Sequence, residues 1–333
     1  MNLFEIREPG TADALRPARR EPPVPGPKEV VVGIRSASLN YRDLLILHGH
    51  YPNLRLPLIP LSDGAGTVIS AGPGVTRVSV GDRVAGIFNQ AWIDGSPPRR
   101  PLALGGDRDG VLAEQVLLPE DGVVRIPDAL SFEEAATLPC AAVTAWNALF
   151  VSGRLKPGQT VLVQGTGGVS LFALQFAKMA GARVILLSSS DRKLEKALGL
   201  GADAGINYRI HPDWEKEVLE KTGGEGVDHV IEVGGAQTLA RSLAATRPQG
   251  HVAVIGVLSG GQAALPVFPL LSKQLSLSGV YVGSRAHFER MLEAIVQNGL
   301  HPVIDRVLPF GEASEAFRIL EEGDFTGKIC LRF

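Results

Sequence analysis

Only two cysteines, Cys140 and Cys330, stand among the 333 residues. That is too few for the disulfide framework of a secreted domain or for a four-thiolate zinc site. Long apolar runs are missing too: no stretch reaches the roughly 18 residues that spanning a bilayer takes. Neither sign of charge dominates. Thirty-three Lys and Arg face 35 Asp and Glu, for a net −2, so no basic field suggests nucleic acid or an anionic membrane as partner. The opening MNLFEIREPG carries charge early and has no apolar core of signal-peptide length. With 45% hydrophobic and 20% charged residues, the balance is that of a globular chain. Its length accommodates two domains, each with its own core. These limits lead us to expect a soluble, cytoplasmic protein that acts on a small molecule.

The pattern changes near residue 125. Before it, short β-branched runs (Val30–Ile34, Gly66–Ser70, Asp82–Gly86) alternate with Gly and Pro turns, which reads as a mostly antiparallel β domain. Asp63-Gly64-Ala65-Gly66 reads as a small-residue turn that brings backbone close to something. Asp94–Pro101 is the densest loop signal. Beyond residue 125, apolar strands and helix-length segments alternate strictly, which predicts a parallel sheet with crossover helices. Thr160–Gln164, Arg183–Leu187, Val227–Val233, His251–Ile255 and Leu275–Val280 are its expected strands. A helix is expected after Gly168, with Val169, Phe172, Ala173, Phe176 and Ala177 on its apolar side. The overall class is α/β.

Gly165-Thr166-Gly167-Gly168-Val169-Ser170 lies between the first of those strands and its helix. In that setting a glycine-rich string has physical meaning. Gly165 permits a tight turn, Gly167 lets backbone approach a pyrophosphate, and the helix N-terminus presents free N–H groups to its charge. An ordinary strand–helix turn is the plain alternative. The second strand ends in Ser188-Ser189-Ser190 followed by Asp191-Arg192-Lys193, without the acidic residue that favours NAD. Serines tolerate a 2′-phosphate, and Arg192 or Lys193 can neutralise it, with Tyr208 lining the same pocket. NADP(H) is therefore expected over NAD(H), unless Arg192 and Lys193 are merely solvated charges.

Over essentially its whole length the chain resembles the medium-chain dehydrogenase/reductases. The motifs that carry the resemblance are Ser38-Leu-Asn40-Tyr-Arg-Asp43, Gly64-Ala-Gly66, Val80-Gly81-Asp82-Arg83-Val84, Leu138-Pro-Cys140 through Thr144-Ala-Trp146, the glycine string and Gly327-Lys328. The resemblance implies a Rossmann domain inserted in a mostly β, GroES-like catalytic domain, with the active site in the cleft between them. With the change of pattern from turn-rich β to strict strand–helix alternation, the expected boundaries are residues 1–125 plus 285–333 for the catalytic domain and 126–284 for the Rossmann domain. The resemblance also adds Thr144, placed by the nicotinamide, and Gly256 and Lys328 to the coenzyme contacts.

Asn40 stands where zinc-dependent members of the family carry a Cys, and Ser62-Asp63 replaces a His-Glu pair. Cys140 alone falls where another ligand is kept, and Trp92–Gly110 has no cysteine. No zinc is expected from such a set. Cys140 is then a small apolar helix residue, with His48 and His50 as the remaining substitutes to consider. Without a Lewis acid, a plain ketone is a hard substrate. Quinones and α,β-unsaturated carbonyls delocalise the developing charge, and ordinary hydrogen-bond donors suffice for them. The resemblance is accordingly to the quinone oxidoreductase and enoyl reductase branch, with Tyr51 and Asn40 as catalytic candidates. A phenol stays protonated at neutral pH and can donate.

Duller roles remain open at this point. Tyr51 beside Pro52 can cap a turn, Asn40 can fix a local backbone turn, and Asp63 can pair with Arg83 or Arg42. An alcohol dehydrogenase activity, or NADPH binding with little catalysis, are the alternatives in function. The apolar, proline-punctuated Leu265–Leu271 suits the dressing of a sheet edge in a homodimer.

Overall fold

The computed structural model describes every residue except Asn53 and Ala263. The chain divides into two units, one made of Met1–Val143 with Gly283–Phe333 and the other of Thr144–Val282. Residues 126–143, placed by the sequence reading with the second domain, belong to the first unit.

β-Branched residues dominate the first unit's central strand, Glu29–Ser38, in which Val30, Val32 and Ile34 face the core. This strand pairs antiparallel with Asp63–Ala71, Gln115–Pro119 and Lys328–Arg332. Arg83–Gly86 and Val123–Arg125 extend the sheet on one side, and Ile304–Pro309 closes the other in the one parallel pairing described. Both ends of the chain thus meet in a seven-stranded sheet. A separate two-stranded ribbon joins Asn2–Ile6 to Leu15–Arg19.

Asp63-Gly64-Ala65-Gly66 corrects the sequence reading. These residues open a nine-residue strand and do not form a turn. The close approach inferred from the glycines is to protein, since a Cβ on Gly66 would lie 2.0 Å from the Gly33 carbonyl oxygen. Small residues here let two strands pack backbone to backbone, which a strand interior rarely needs. Asp94–Pro101 is largely exposed, as loop chemistry suggests.

In the second unit, the strict alternation of strand and helix gives a six-stranded sheet with every pairing parallel. The spatial order is Ala204–Asn207, Arg183–Ser188, Thr160–Gln164, Val227–Glu232, Thr246–Val254 and Ser276–Gly279. Strand order reverses between Thr160–Gln164 and Val227–Glu232, the position at which such sheets bind dinucleotides. The helix after the glycine string spans Gly168–Met179 and buries Leu171, Phe172, Ala173, Phe176 and Ala177, while Val169 is half-buried. Leu265–Leu271 forms no strand: Val267–Ser272 is a short helix with Val267, Phe268 and Leu271 exposed. Among the described residues no helix is long and apolar enough to cross a membrane.

Candidate functional site

In the second unit the glycine string does what its chemistry allows. Gly165 takes φ +76°, in the left-handed region that penalises a side chain. Its N–H donates to the Leu187 carbonyl at 2.7 Å. Gly167 caps the twelve-residue helix in an extended conformation, and a Cβ there would meet nothing within 4 Å. The N–H groups of Gly168 and Val169 open that helix, as an anion site requires. Thr166 is buried. Ser170, at the motif's third small position, turns its hydroxyl back to donate to the Gln164 carbonyl at 2.6 Å. The loop thus fits the pyrophosphate of a dinucleotide.

Two strand ends flank it. Ser188 is buried, its Oγ accepting from the Ser190 N–H at 3.3 Å. Tyr208 donates its backbone N–H to the Ser188 carbonyl at 3.0 Å and is itself 41% exposed. Ser189 and Lys193 are half-buried and Arg192 is exposed, while Asn207 ties Asp191 to the same corner at 2.7 Å. Gly256 sits across the sheet, where a Cβ would come within 2.2 Å of the Val233 carbonyl oxygen. Its requirement is close packing between loops. Thr144 opens the second unit, buried in the short Val143–Trp146 helix.

The first unit brings together groups that the sequence scatters. Asn40 caps the Tyr41–Leu47 helix, its N–H donating to Asp43 Oδ2 at 2.7 Å. Lys328, from the far end of the chain, is only 2% exposed. Its ammonium donates to the Leu39 carbonyl and to Asn40 Oδ1, both at 2.5 Å. Lys328, expected among the coenzyme contacts, thus has its ammonium engaged with the start of the Tyr41–Leu47 helix. Asp63 accepts from Ser62 Oγ at 2.6 Å and from the Cys140 N–H at 3.1 Å. The pairing of Asp63 with Arg83 is corrected. Arg83 donates to the carbonyls of Pro127 and Leu130 and meets Asp128.

Arg42 lies 3.5 Å from Asp43 and donates to the Leu104 carbonyl at 3.0 Å. Its guanidinium stands 4.8 Å from the ring centres of both Tyr51 and Phe88, a cation–π sandwich. Tyr51 is half-buried and is held against a cation, where the turn-cap reading had nothing but Pro52. Burial drives the Asp43 carboxyl up from its usual 3.8 to about 6, with Arg42 pulling the other way. Burial also raises Asp63, against the pull of Lys328. The Cys140 thiol is pushed up by burial and by the neighbouring Asp63.

This donor set does not fit zinc. One cation, Lys328, already sits among the candidate ligands, whereas a zinc site needs thiolate, neutral imidazole or carboxylate ligands arranged around an open centre. Among the described residues no group of three His, Cys, Asp or Glu is placed to hold a metal. His48 is turned to Glu321 at 3.1 Å.

Sequence reasoning named Arg42 only as a pairing option for Asp63, and Asp43 only within a motif, and it passed over Glu232. The Asn40-x-x-Asp43 spacing of a capping box signals Asp43; nothing local signals Arg42 or Glu232.

Residues 26–128 match the alcohol dehydrogenase GroES-like domain family, and residues 168–297 match the zinc-binding dehydrogenase family. A zinc-type alcohol dehydrogenase-like protein of Schizosaccharomyces pombe is 44% identical, over 96% of this chain and 95% of the relative. Quinone oxidoreductase-like protein 2 of Rattus norvegicus is 30% identical, over 98% of this chain and 90% of its own length. Among solved structures, an NAD-dependent alcohol dehydrogenase superposes with a TM-score of 0.93 at 38% identity, each chain covered in full. A mycobacterial protein complexed with NADPH does so at 0.85 and 28%, again over both whole chains. With a glycine loop that fits a dinucleotide and relatives along the whole length, the chain is an NAD(P)H-dependent oxidoreductase that belongs to the medium-chain dehydrogenase/reductase superfamily.

Proposed function

We propose that the protein reduces a quinone or an α,β-unsaturated carbonyl compound with NADPH and without a metal. The observation that carries this reading is the buried Lys328 ammonium bonded to Asn40 Oδ1, among the groups that correspond to metal ligands in zinc-dependent relatives. When bound, the coenzyme supplies hydride to the conjugated carbon of the substrate. Negative charge then develops on the conjugated oxygen, and the chain must meet it with hydrogen-bond donors. Tyr51, fixed against Arg42, is the donor assigned to that oxygen, and with an enone it gives up its proton as the enolate oxygen becomes an enol. Asn40, oriented by Lys328, is the second candidate.

Preference for NADPH rests on Ser188, Ser189, Arg192, Lys193 and Tyr208 at one corner of the sheet, with no carboxylate at the end of the second strand. Asp191, one turn on, is bonded to Asn207. Pairing of two copies rests on the edge strand Ser276–Gly279 beside exposed Val267, Phe268 and Leu271, an unpartnered sheet edge of the kind that recruits a second chain. Light scattering at micromolar concentration tests it, and a purely monomeric species overturns it.

The second reading is an alcohol dehydrogenase, favoured by the names of the more similar relatives. One screen separates the two: quinones, enones, enoyl thioesters and simple alcohols, each with NADPH and NADH and with metal content measured. Turnover confined to alcohols, with stoichiometric zinc, overturns the proposal.

A further inference from the structure

We propose that Glu232 is a positioning residue for the nicotinamide half of the coenzyme site. Glu232 ends the fourth strand in sequence of the parallel sheet and is wholly withdrawn from water. A buried carboxylate is expensive unless its oxygens are fully hydrogen-bonded. Here Oε1 accepts from the N–H groups of Gly234 and Gly235 at 2.8 and 2.9 Å and from Thr238 Oγ1 at 2.6 Å. Oε2 accepts from Gln164 Nε2 at 2.8 Å and from the Ser242 hydroxyl. Five donors serve two oxygens, and none of them is charged.

The donors matter for where they come from. Gln164 is the residue just before Gly165, and its Oε1 accepts from the N–H groups of Val233 and Gly234 at 3.2 and 3.3 Å. The glycine string is thereby locked to the loop that follows Glu232. That loop is tied in turn to the one after the Thr246–Val254 strand. Ser259 donates both its N–H and its hydroxyl to the Gly234 carbonyl at 2.7 and 2.8 Å, and accepts from the Gln237 N–H at 3.0 Å. Ala236 completes the tie by donating to the Gly260 carbonyl at 3.0 Å. Three loops at the carboxyl ends of three adjacent strands are thus one hydrogen-bonded body centred on a single carboxylate.

Position in the sheet assigns the half of the coenzyme concerned. A dinucleotide crosses a doubly wound sheet at the reversal of strand order, here between Thr160–Gln164 and Val227–Glu232. Ser188 and Tyr208 end strands on one side of that reversal, the side of the adenosine half. Two of the loops gathered by Glu232, those after Val227–Glu232 and Thr246–Val254, lie on the other, where the nicotinamide riboside falls. The carboxylate holds their backbone in the bound shape before the ligand arrives, and such preorganisation is read as affinity.

The test compares whole coenzyme with half coenzyme. Dissociation constants for NADPH and for 2′,5′-ADP are measured on the full chain carrying Glu232→Gln, with circular dichroism as the folding control. Glutamine turns an N–H₂ toward groups that are themselves donors. The expected result is NADPH binding weakened tenfold or more, with 2′,5′-ADP binding within twofold of wild type. Thr238→Val, which removes one donor at the edge of the network, should weaken NADPH about threefold with the same selectivity, and it decides the matter if Glu232→Gln fails to fold. Unchanged NADPH affinity in the folded variant, or equal losses for NADPH and 2′,5′-ADP, overturns the proposal, the latter by showing a general defect of the unit. Should the protein prefer NADH, the same ratio is read with NADH against ADP, so the coenzyme preference and the role of Glu232 fail separately.

Discussion

Asp43 and Glu232 are both fully excluded from water, yet Asp43 lies beside the Arg42 guanidinium and near the Lys328 ammonium, whereas Glu232 is ringed by neutral donors. The difference teaches how a carboxylate is kept inside a fold. In the first unit the solution is charge compensation: two acids, Asp43 and Asp63, share space with two cations, and the acids are left with raised pKa values. In the second, backbone N–H groups of one loop and side chains of neighbouring elements replace the hydration shell. Charge compensation depends on every member, because removing one leaves the others buried and uncompensated. A cage of neutral donors degrades by steps, one hydrogen bond at a time.

That contrast predicts a ranking. Lys328→Met should be the most damaging change, since it strands Asn40 Oδ1, the Leu39 carbonyl and the negative charge of Asp63 together. A loss of about 3–5 kcal/mol in stability is expected, read as a large fall in the urea midpoint. A loss below about 1 kcal/mol would break the contrast between the two units. Tyr51→Phe tests whether the charged cluster serves catalysis as well as stability. With an enone we expect turnover to drop by about a hundredfold with NADPH affinity unchanged, and with a quinone by less. Wild-type turnover of the enone returns Tyr51 to a packing role against Arg42.

Ser188→Asp addresses the second unit. A carboxylate at the end of that strand repels a 2′-phosphate, so the ratio of NADPH to NADH affinity should fall about tenfold or more. A ratio that does not move removes Ser188 from the coenzyme-selecting corner.

The smallest effect is the one with pH. Asp43 has its pKa raised to about 6 in the folded protein, so its ionised form is penalised there. Above pH 6 that penalty is fully present. As pH falls from about 6 toward 4, the fold takes up a proton that the unfolded chain does not, and this group's contribution to stability rises. Glu120 has the opposite sign. The N–H groups of Arg77 and Thr76 hold it at about 2, and its contribution is lost as pH falls from about 4.5 toward 2. Asp43→Asn should accordingly be more favourable relative to wild type at pH 7.5 than at pH 5. A difference that is constant with pH shows that Asp43 does not titrate in this window.

Much of the second unit was legible in the sequence. The strands at Thr160, Arg183 and Val227 and the helix from Gly168 appear where periodicity put them, because a parallel sheet with crossover helices writes itself in local alternation. Leu265–Leu271 was legible only as unfit for a central strand; that it turns into a short exposed helix was not. In the first unit the strands were readable, but Asp63–Gly66 was mistaken for a turn. Small residues mark close backbone approach without saying whether the partner is a ligand or a neighbouring strand, and the partner here is Gly33.

What the sequence by itself determined is whatever depends on a few adjacent residues: the left-handed turn at Gly165, the cap at Asn40, the serines that end the second strand. Tertiary structure alone decided where charge is buried. Lys328 meets Asn40 across 288 residues of chain, and Gln164 meets Glu232 across 68. A lysine near a chain end and a glutamate at the end of a strand carry no local mark of burial. Their roles follow from desolvation, and desolvation is set by whatever the rest of the fold packs around them.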